Sequence, residues 1–200
     1  MASDISIANQ ALGFLGAKPI ISFDDESKEA ALMKANYAPI RDAVLESHNW
    51  TFATKWLEVP AMADPPLSEF ANAYPIPSEV LRIIFVGQNY SNPSNNWRVE
   101  GGNIVTNDSS VKIQAVAVVE DPNKFSSLFV QALAQRLAGD LAIAITSSRT
   151  LSEHHLKLFQ IKLKEAVSRD GLQGQPRRIT SSWIRNARVG SGPRSAGPYV

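Results

Sequence analysis

The chain has 200 residues, of which 44% are hydrophobic and 20% are charged, and this balance excludes a protein that is disordered throughout. It contains no cysteine, which excludes a disulfide framework and a thiolate metal site and fits a reducing compartment. The net charge of +1 is unevenly distributed: residues 1–170 carry all 19 acidic residues and 15 of the 20 Lys and Arg, whereas residues 171–200 carry five arginines and no acidic residue.

The first predicted helix is amphipathic and begins at the amino end. Ser3 or Asp4 is expected to cap it, apolar residues follow at intervals of three and four, and Gly16 ends it. This region lacks a basic leader with an unbroken apolar run, and no later window approaches 18 uncharged apolar residues. We therefore expect neither a secretion signal nor a membrane span.

A second helix is predicted from about Ser27 to His48, where apolar residues recur at helical spacing. Pro39 lies inside this pattern. Because proline removes a main-chain donor and crowds the preceding turn, we expect a kink or a break near Tyr37.

The middle of the chain predicts β-structure. The segment from "VPAMADPPLSEF" to "AYPIPSEV" contains many prolines and is expected to be a connection without regular structure. Short runs rich in β-branched residues follow and predict a small antiparallel sheet over about residues 80–119, with Gly101 and Gly102 in a hairpin turn.

Two long helices are predicted after Asp121. The first has a broad apolar stripe and is expected to be the central core helix. A capping box of Thr150 and Glu153 is predicted to open the second, which ends at Gly171. Since only a short connection joins them, the two helices should form an antiparallel hairpin.

Together these elements predict an α+β fold: a mainly antiparallel helical bundle with an inserted small antiparallel β-sheet subdomain and an extended C-terminal arm. Residues 1–58 and 120–170 are assigned to the bundle. Residues 59–119 are assigned to a connecting loop and the β insertion, and residues 171–200 to the arm.

No motif predicts a catalytic, cofactor or metal site. His154 and His155 are adjacent, so on a helix they point about 100° apart and cannot bind one ion together. The acidic run at 24–26 lacks the spacing of a calcium loop, and a helix N-terminus explains it by dipole and capping interactions. We therefore expect no enzyme activity and no cofactor.

The arm carries residue types that mediate binding. Trp, Tyr and Arg are enriched at protein–protein hot spots, and the arm also offers Gly and Ser as spacers. Arginines with aromatic residues can equally contact phosphates and stack on bases, and an unbound terminus is a third interpretation. The candidate docking residues are Trp183, Ile184, Arg185, Arg188 and Tyr199.

Several short motifs occur in order between residues 5 and 170. They read "ANQALGFLGAKPIIS", "YAPIRDAVLESHNWTFATK", "YPIPSEVLRII", "WRVEGGNIVT" and "LFVQALAQRLAGDLAIAITSSRTLSEHHLKLFQIKLKEAVSRDG". In combination they resemble the head-to-tail adaptor proteins of tailed bacteriophages, most closely the tail tubular protein A family of short-tailed phages.

The resemblance implies a structural protein of the virion tail, assembled in the host cytoplasm. Such adaptors form a dodecameric ring under the portal protein, extend the DNA channel, and carry the tail nozzle protein, while a C-terminal arm docks on the portal. DNA passes through the channel without specific binding, and no membrane is involved. Arg41, Asp42, Trp50 and Phe52 match positions that recur in the family, where they pack within the bundle or lie at the subunit interface.

Three alternatives remain open at this stage. The chain is a nucleic-acid-binding module that uses the basic arm, an enzyme that cuts cell-wall glycan with a carboxylate pair, or an adaptor or stopper of a long-tailed phage. No spacing singles out a carboxylate pair, and the sizeable β insertion and long arm favour the short-tailed adaptor.

Overall fold

The computed structural model describes residues 2–90, 92–94 and 96–173. These residues form a mixed α+β fold, so the predicted class is confirmed. The elements in chain order are α1 (Asp4–Phe14), α2 (Lys28–Glu46), β1 (Thr54–Val59), β2 (Asn72–Pro75), β3 (Val80–Asn89), β4 (Asn92–Pro93), β5 (Trp97–Glu100), β6 (Asn103–Thr106), β7 (Val111–Ala117), a 3-10 turn (Pro122–Lys124), α3 (Ser127–Thr146) and α4 (Arg149–Gly171).

Helix α1 begins and ends as the sequence predicts. The Ser3 hydroxyl accepts a hydrogen bond from the Ser6 main-chain N–H at 3.0 Å, and the Ser6 hydroxyl accepts one from the Ser3 N–H at 2.8 Å. This reciprocal pair satisfies two donors that the first turn leaves unpaired. Gly16, with φ of 65°, takes the left-handed conformation that lets the chain turn away after the helix.

Helix α2 continues as one element across Pro39, so the predicted break does not occur. Proline removes only one main-chain donor, and buried contacts hold the helix on both sides of it. Met33 and Tyr37 before the proline and Val44 and Leu45 after it all belong to the helical core. Packing therefore outweighs the local cost of the proline.

Helices α3 and α4 form the predicted antiparallel hairpin. The Ser152 hydroxyl donates to the Gly139 carbonyl at 2.7 Å, and His155 Nδ1 lies 2.8 Å from Gln135 Oε1. From Ser152 to His155 the chain advances by three residues along α4, while the contacted residue on α3 moves back by four, from Gly139 to Gln135. Opposite directions of this kind are expected for antiparallel helices. At Gly139 an added Cβ would lie 2.8 Å from Leu156 Cδ2, so glycine permits the close approach.

The predicted capping box at the start of α4 is wrong. Ser148 is the N-cap, and its hydroxyl accepts from the Leu151 N–H at 3.3 Å. Thr150 therefore lies inside the helix. Glu153 pairs instead with Arg149, at 3.1 Å, on the exposed surface.

Two antiparallel sheets, rather than one, form the β unit. One has the strand order β1-β7-β3-β4 and the other β2-β6-β5. Residues from both sheets form one hydrophobic core, so the two sheets pack against each other as two layers. Strand β1 begins at Thr54, ahead of the predicted insertion at residue 59, and β2 lies in the proline-rich segment that was expected to be irregular. Pro75 is tolerated because β2 is an edge strand.

The helices and the β unit are joined directly. Val116 of β7 belongs to the helical core, whose centre contains Trp50 and Phe129. Arg82 of β3 donates from Nε to the Glu46 carbonyl, at the end of α2, at 3.0 Å. Since the last carbonyls of a helix have no partner within it, Arg82 both caps α2 and ties the sheet to it.

Helix α3 is the central core helix. It is long and apolar enough to cross a membrane by length and composition, with a mean hydropathy of 1.4, but 56% of that window is buried inside the fold. Its surface carries the ion pair of Arg136 and Asp140, at 2.7 Å. Core packing therefore accounts for its apolar character.

Candidate functional site

The four residues predicted at a bundle or subunit interface make contacts within the chain. Trp50 is fully buried, and its Nε1 donates to the Val44 carbonyl at 3.1 Å. Phe52 stacks on Trp50 with a centroid distance of 5.8 Å. Arg41 is 7% exposed and its Nε lies 2.8 Å from Asp42 Oδ1. Packing inside the helical part accounts for these contacts.

The predicted docking residues of the arm lie outside the described residues: Trp183, Ile184, Arg185, Arg188 and Tyr199. The structure shows where the described part of the chain ends. Helix α4 ends at Gly171, and Gln173 is the last described residue, with its Oε1 3.2 Å from Thr51 Oγ1. Thr51 lies between α2 and β1, so the described chain ends at the junction of the helices and the β unit, a position that we call the exit point.

Asp170 fixes this exit point. The carboxylate is 3% exposed and accepts from the Thr51 N–H at 3.0 Å and from the Thr51 hydroxyl at 2.8 Å. His48 Nε2 lies 3.7 Å from the same carboxylate, and its ring meets Trp50 edge-on. His48, just after the end of α2, therefore lies beside the Asp170 carboxylate.

An exposed aromatic cluster covers the outer side of the four-stranded sheet. Trp56 of β1, Phe85 of β3 and Tyr90 have ring centroids 5.0 to 5.6 Å apart. Gln114 of β7 is the register partner of both Trp56 and Phe85, and it hydrogen-bonds the Tyr90 hydroxyl. We call Trp56, Phe85, Tyr90 and Gln114 the aromatic face. Trp56 is 43% exposed, although large aromatic side chains are usually covered.

A cavity of about 520 Å³ connects the aromatic face to the exit point of the chain. Phe85, Tyr90 and Gln114 line it from the sheet, and Asn49 and Thr51 line it from the junction after α2. Aromatic rings beside amide and hydroxyl groups form the kind of surface that binds amphipathic ligands. Because Thr51 lines the same cavity as residues of the aromatic face, the aromatic face and the exit point belong to one continuous surface.

His155 is buried between helices and resists protonation. Burial lowers its pKa, the neighbouring His154 lowers it further, and the Phe14 carbonyl acts in the opposite direction. Its Nε2 is buried and makes no hydrogen bond of good geometry, while Nδ1 faces Gln135. A neutral imidazole with this packing is a core residue.

Tyr37 is a second buried titratable group. Burial raises the pKa of its hydroxyl far above the usual range, the nearby Asp4 carboxylate adds to the effect, and Arg41 opposes it. The phenol thus stays protonated between α1 and α2. Tyr37 belongs to the helical core, so its role is packing.

The acidic run at 24–26 interacts with neighbouring protein groups. Asp25 accepts from the Ile21 N–H at 2.7 Å, and Asp24 pairs with Lys34, which lowers the pKa of Asp24. Within residues 2–90, 92–94 and 96–173, no group of three or more His, Asp or Glu is placed to hold a metal ion.

Local sequence patterns do not predict the aromatic face. Trp56 and Phe85 lie 29 positions apart, and each meets the other only because β1 and β3 both pair with β7. The available signal was the run "TKWLEV", which is short and bounded by turns and could have been read as a strand.

Comparisons with models of protein families and with curated proteins both find no match for this chain.

Proposed function

We propose that this chain is a structural subunit of a phage virion, a head-to-tail adaptor that forms a dodecameric ring beneath the portal. The proposal rests on the ordered motifs between residues 5 and 170 that resemble the tail tubular protein A family. It assigns the four helices to the ring, the β unit to the contact with the nozzle, and residues 171–200 to the portal. The proposed location is the virion tail.

The observation that carries the proposal is the arrangement of these parts along the chain. The β unit is inserted between two helical pairs, and Asp170 and Gln173 hold the end of α4 against Thr51, in the connection between α2 and β1. A ring body, a projecting unit and a portal-binding segment can therefore be assigned to separate regions without interrupting the helical core.

The distribution of charge along the chain also supports the proposed adaptor function. Residues 1–170 carry a net charge of −4, and the described residues after them add none. Like charge disfavours phosphate binding, which suits a channel that must release DNA. The C-terminal segment carries +5, and its arginines can pair with carboxylates on a portal while Trp183, Ile184 and Tyr199 enter pockets. In a ring, repeated weak contacts add through multivalency.

Light scattering and electron microscopy of the full chain, alone and with the portal protein encoded in the same genome, test the proposal. We expect a ring alone or on the portal. The Trp183→Ala/Tyr199→Ala variant should lose portal binding, whereas the matched Ser181→Ala/Ser191→Ala variant should keep it.

A chain that stays monomeric and does not bind the portal protein would contradict the adaptor function. In that case DNA binding is measured at several salt concentrations. DNA binding that depends steeply on salt, and that disappears when the arginines of residues 171–200 are replaced by glutamine, would favour the nucleic-acid-binding alternative.

A further inference from the structure

The structure contains two exposed tryptophans on its two sheets, and their surroundings differ. Trp56 is 43% exposed and lies within the aromatic face, beside the cavity and the exit point of the chain. Trp97 of β5 is 36% exposed and lies on the other sheet. A clustered aromatic surface of this kind marks an interaction site, whereas a single exposed ring needs no explanation.

We propose that the aromatic face is a docking site for the chain's own C-terminal segment, residues 174–200, with Trp183 seated against Trp56 and Phe85. The contact forms within one subunit. It goes beyond the adaptor function and does not depend on it, because it concerns the free chain.

The position of the exit point carries the inference. Gln173 Oε1 is 3.2 Å from Thr51 Oγ1, and Thr51 lines the same cavity as Phe85, Tyr90 and Gln114. The segment therefore starts at the rim of the aromatic face. Trp183 is ten residues further on, a length of chain that spans up to about 35 Å when extended. The anchor residue thus has ample length to reach the face.

The composition of the segment suits this surface. It contains one Trp, one Tyr and five Arg among 27 residues. Aromatic pairs gain from edge and offset contacts, and a guanidinium gains from lying over an aromatic ring. Gln114 and Asn49 add amide groups at the cavity that can pair with a main chain.

Tethering makes a weak contact sufficient. A short connection gives the segment a local concentration in the millimolar range, so binding within the subunit precedes binding to any dilute partner. The same Trp183 serves the portal in the proposed function. The aromatic face would therefore compete with the portal for the segment, and a free subunit would keep its anchor covered until the portal is present.

The test uses ¹⁹F NMR of the full chain labelled with 5-fluorotryptophan, at concentrations where light scattering shows a monomer. The chain has four tryptophans, and single Trp→Phe variants assign their resonances. The measured quantity is the shift of each resonance between H₂O and D₂O, which increases with solvent exposure. In the natural chain we expect a smaller shift for Trp56 than for Trp97, because only Trp56 is covered.

Two variants within the segment test the proposal without changing any residue that the structure describes. Trp183→Ser/Ile184→Ser should raise the solvent shift of Trp56 to about that of Trp97, since the uncovered rings have similar exposure in the structure. Ser181→Ala/Ser191→Ala should change neither resonance, and Trp97 should stay constant throughout.

An unchanged Trp56 shift in the Trp183→Ser/Ile184→Ser chain would overturn the proposal. So would a Trp56 shift that increases on dilution, because it would identify a second copy as the occupant. Portal binding is scored separately by electron microscopy, so a failure of this contact and a failure of the adaptor function are distinguishable.

Discussion

Asp170 and Thr51 are 119 positions apart in the sequence and are joined by two hydrogen bonds, of 3.0 and 2.8 Å, through one buried carboxylate. The contact links the last turn of α4 to the connection between α2 and β1. It therefore closes the helical part of the fold at the point where the β unit begins and where the chain leaves α4.

Replacing Asp170 should destabilise the protein substantially. Asp170→Ala leaves the N–H and hydroxyl of Thr51 without their buried acceptor, and we expect a loss of about 2–3 kcal/mol in the free energy of unfolding. Asp24→Ala is the matched control, since the Asp24–Lys34 pair is exposed and should contribute nothing measurable. Urea unfolding measures both. Equal effects of the two substitutions would contradict the role assigned to Asp170.

Gly139 and Gly13 should respond in opposite directions to alanine. A Cβ at Gly139 would lie 2.8 Å from Leu156 Cδ2 and 3.2 Å from the Leu156 nitrogen, so Gly139→Ala forces α3 and α4 apart and should cost about 1–2 kcal/mol. Gly13 in α1 has nothing within 4 Å of that position, so Gly13→Ala should gain up to about 1 kcal/mol from helix propensity. Thermal unfolding shows whether each substitution stabilises or destabilises the protein. Stabilisation by Gly139→Ala would show that the hairpin of α3 and α4 can accommodate the added Cβ.

His155 should make the fold sensitive to acid. Its pKa in the folded state is below the unfolded value of 6.5, mainly because of burial. Above that value the imidazole is neutral in both states and contributes no pH dependence. As the pH falls through 6.5 the unfolded chain takes up the proton first, so folding stability decreases until the folded pKa is reached.

The variant His155→Gln should remove this part of the pH dependence. Unfolding midpoints in urea at pH 7.5 and in mild acid, below about pH 6, measure the effect. His154→Gln is the control and should keep most of the pH dependence, because His154 is only the second cause of the shift and is itself exposed. An identical acid response in all three chains would exclude His155 as the source.

Local signals predicted the helices well. Ser3 and Gly16 at the ends of α1, and Gly171 at the end of α4, act through neighbouring main-chain groups, which the sequence displays directly. The start of α4 was predicted two residues late because Ser148 and Thr150 are both good caps, and Ser147, with φ of 58°, ends α3 early enough for Ser148 to serve.

The β unit and the aromatic face were harder to predict because they depend on contacts between distant residues. Thr54 pairs with Val116, 62 positions away, and nothing within β1 itself identifies that partner. The position of Trp56 beside Phe85 follows from this register. Long-range pairing likewise placed a strand, Asn72–Pro75, where prolines predicted a loop.

Replacing Trp50 should lower the free energy of unfolding far more than replacing Trp97, although the residues around the two tryptophans look similar in the sequence. Trp50 is fully buried, donates to the Val44 carbonyl, and meets Phe129 edge-on at 5.0 Å. Trp50→Phe removes the indole N–H and leaves a cavity, so we expect a loss of about 2 kcal/mol in the free energy of unfolding. Trp97→Phe removes a partly exposed ring and should cost less than about 0.5 kcal/mol. Urea unfolding of both variants decides between them; a similar cost for the two would mean that the helical core does not depend on Trp50.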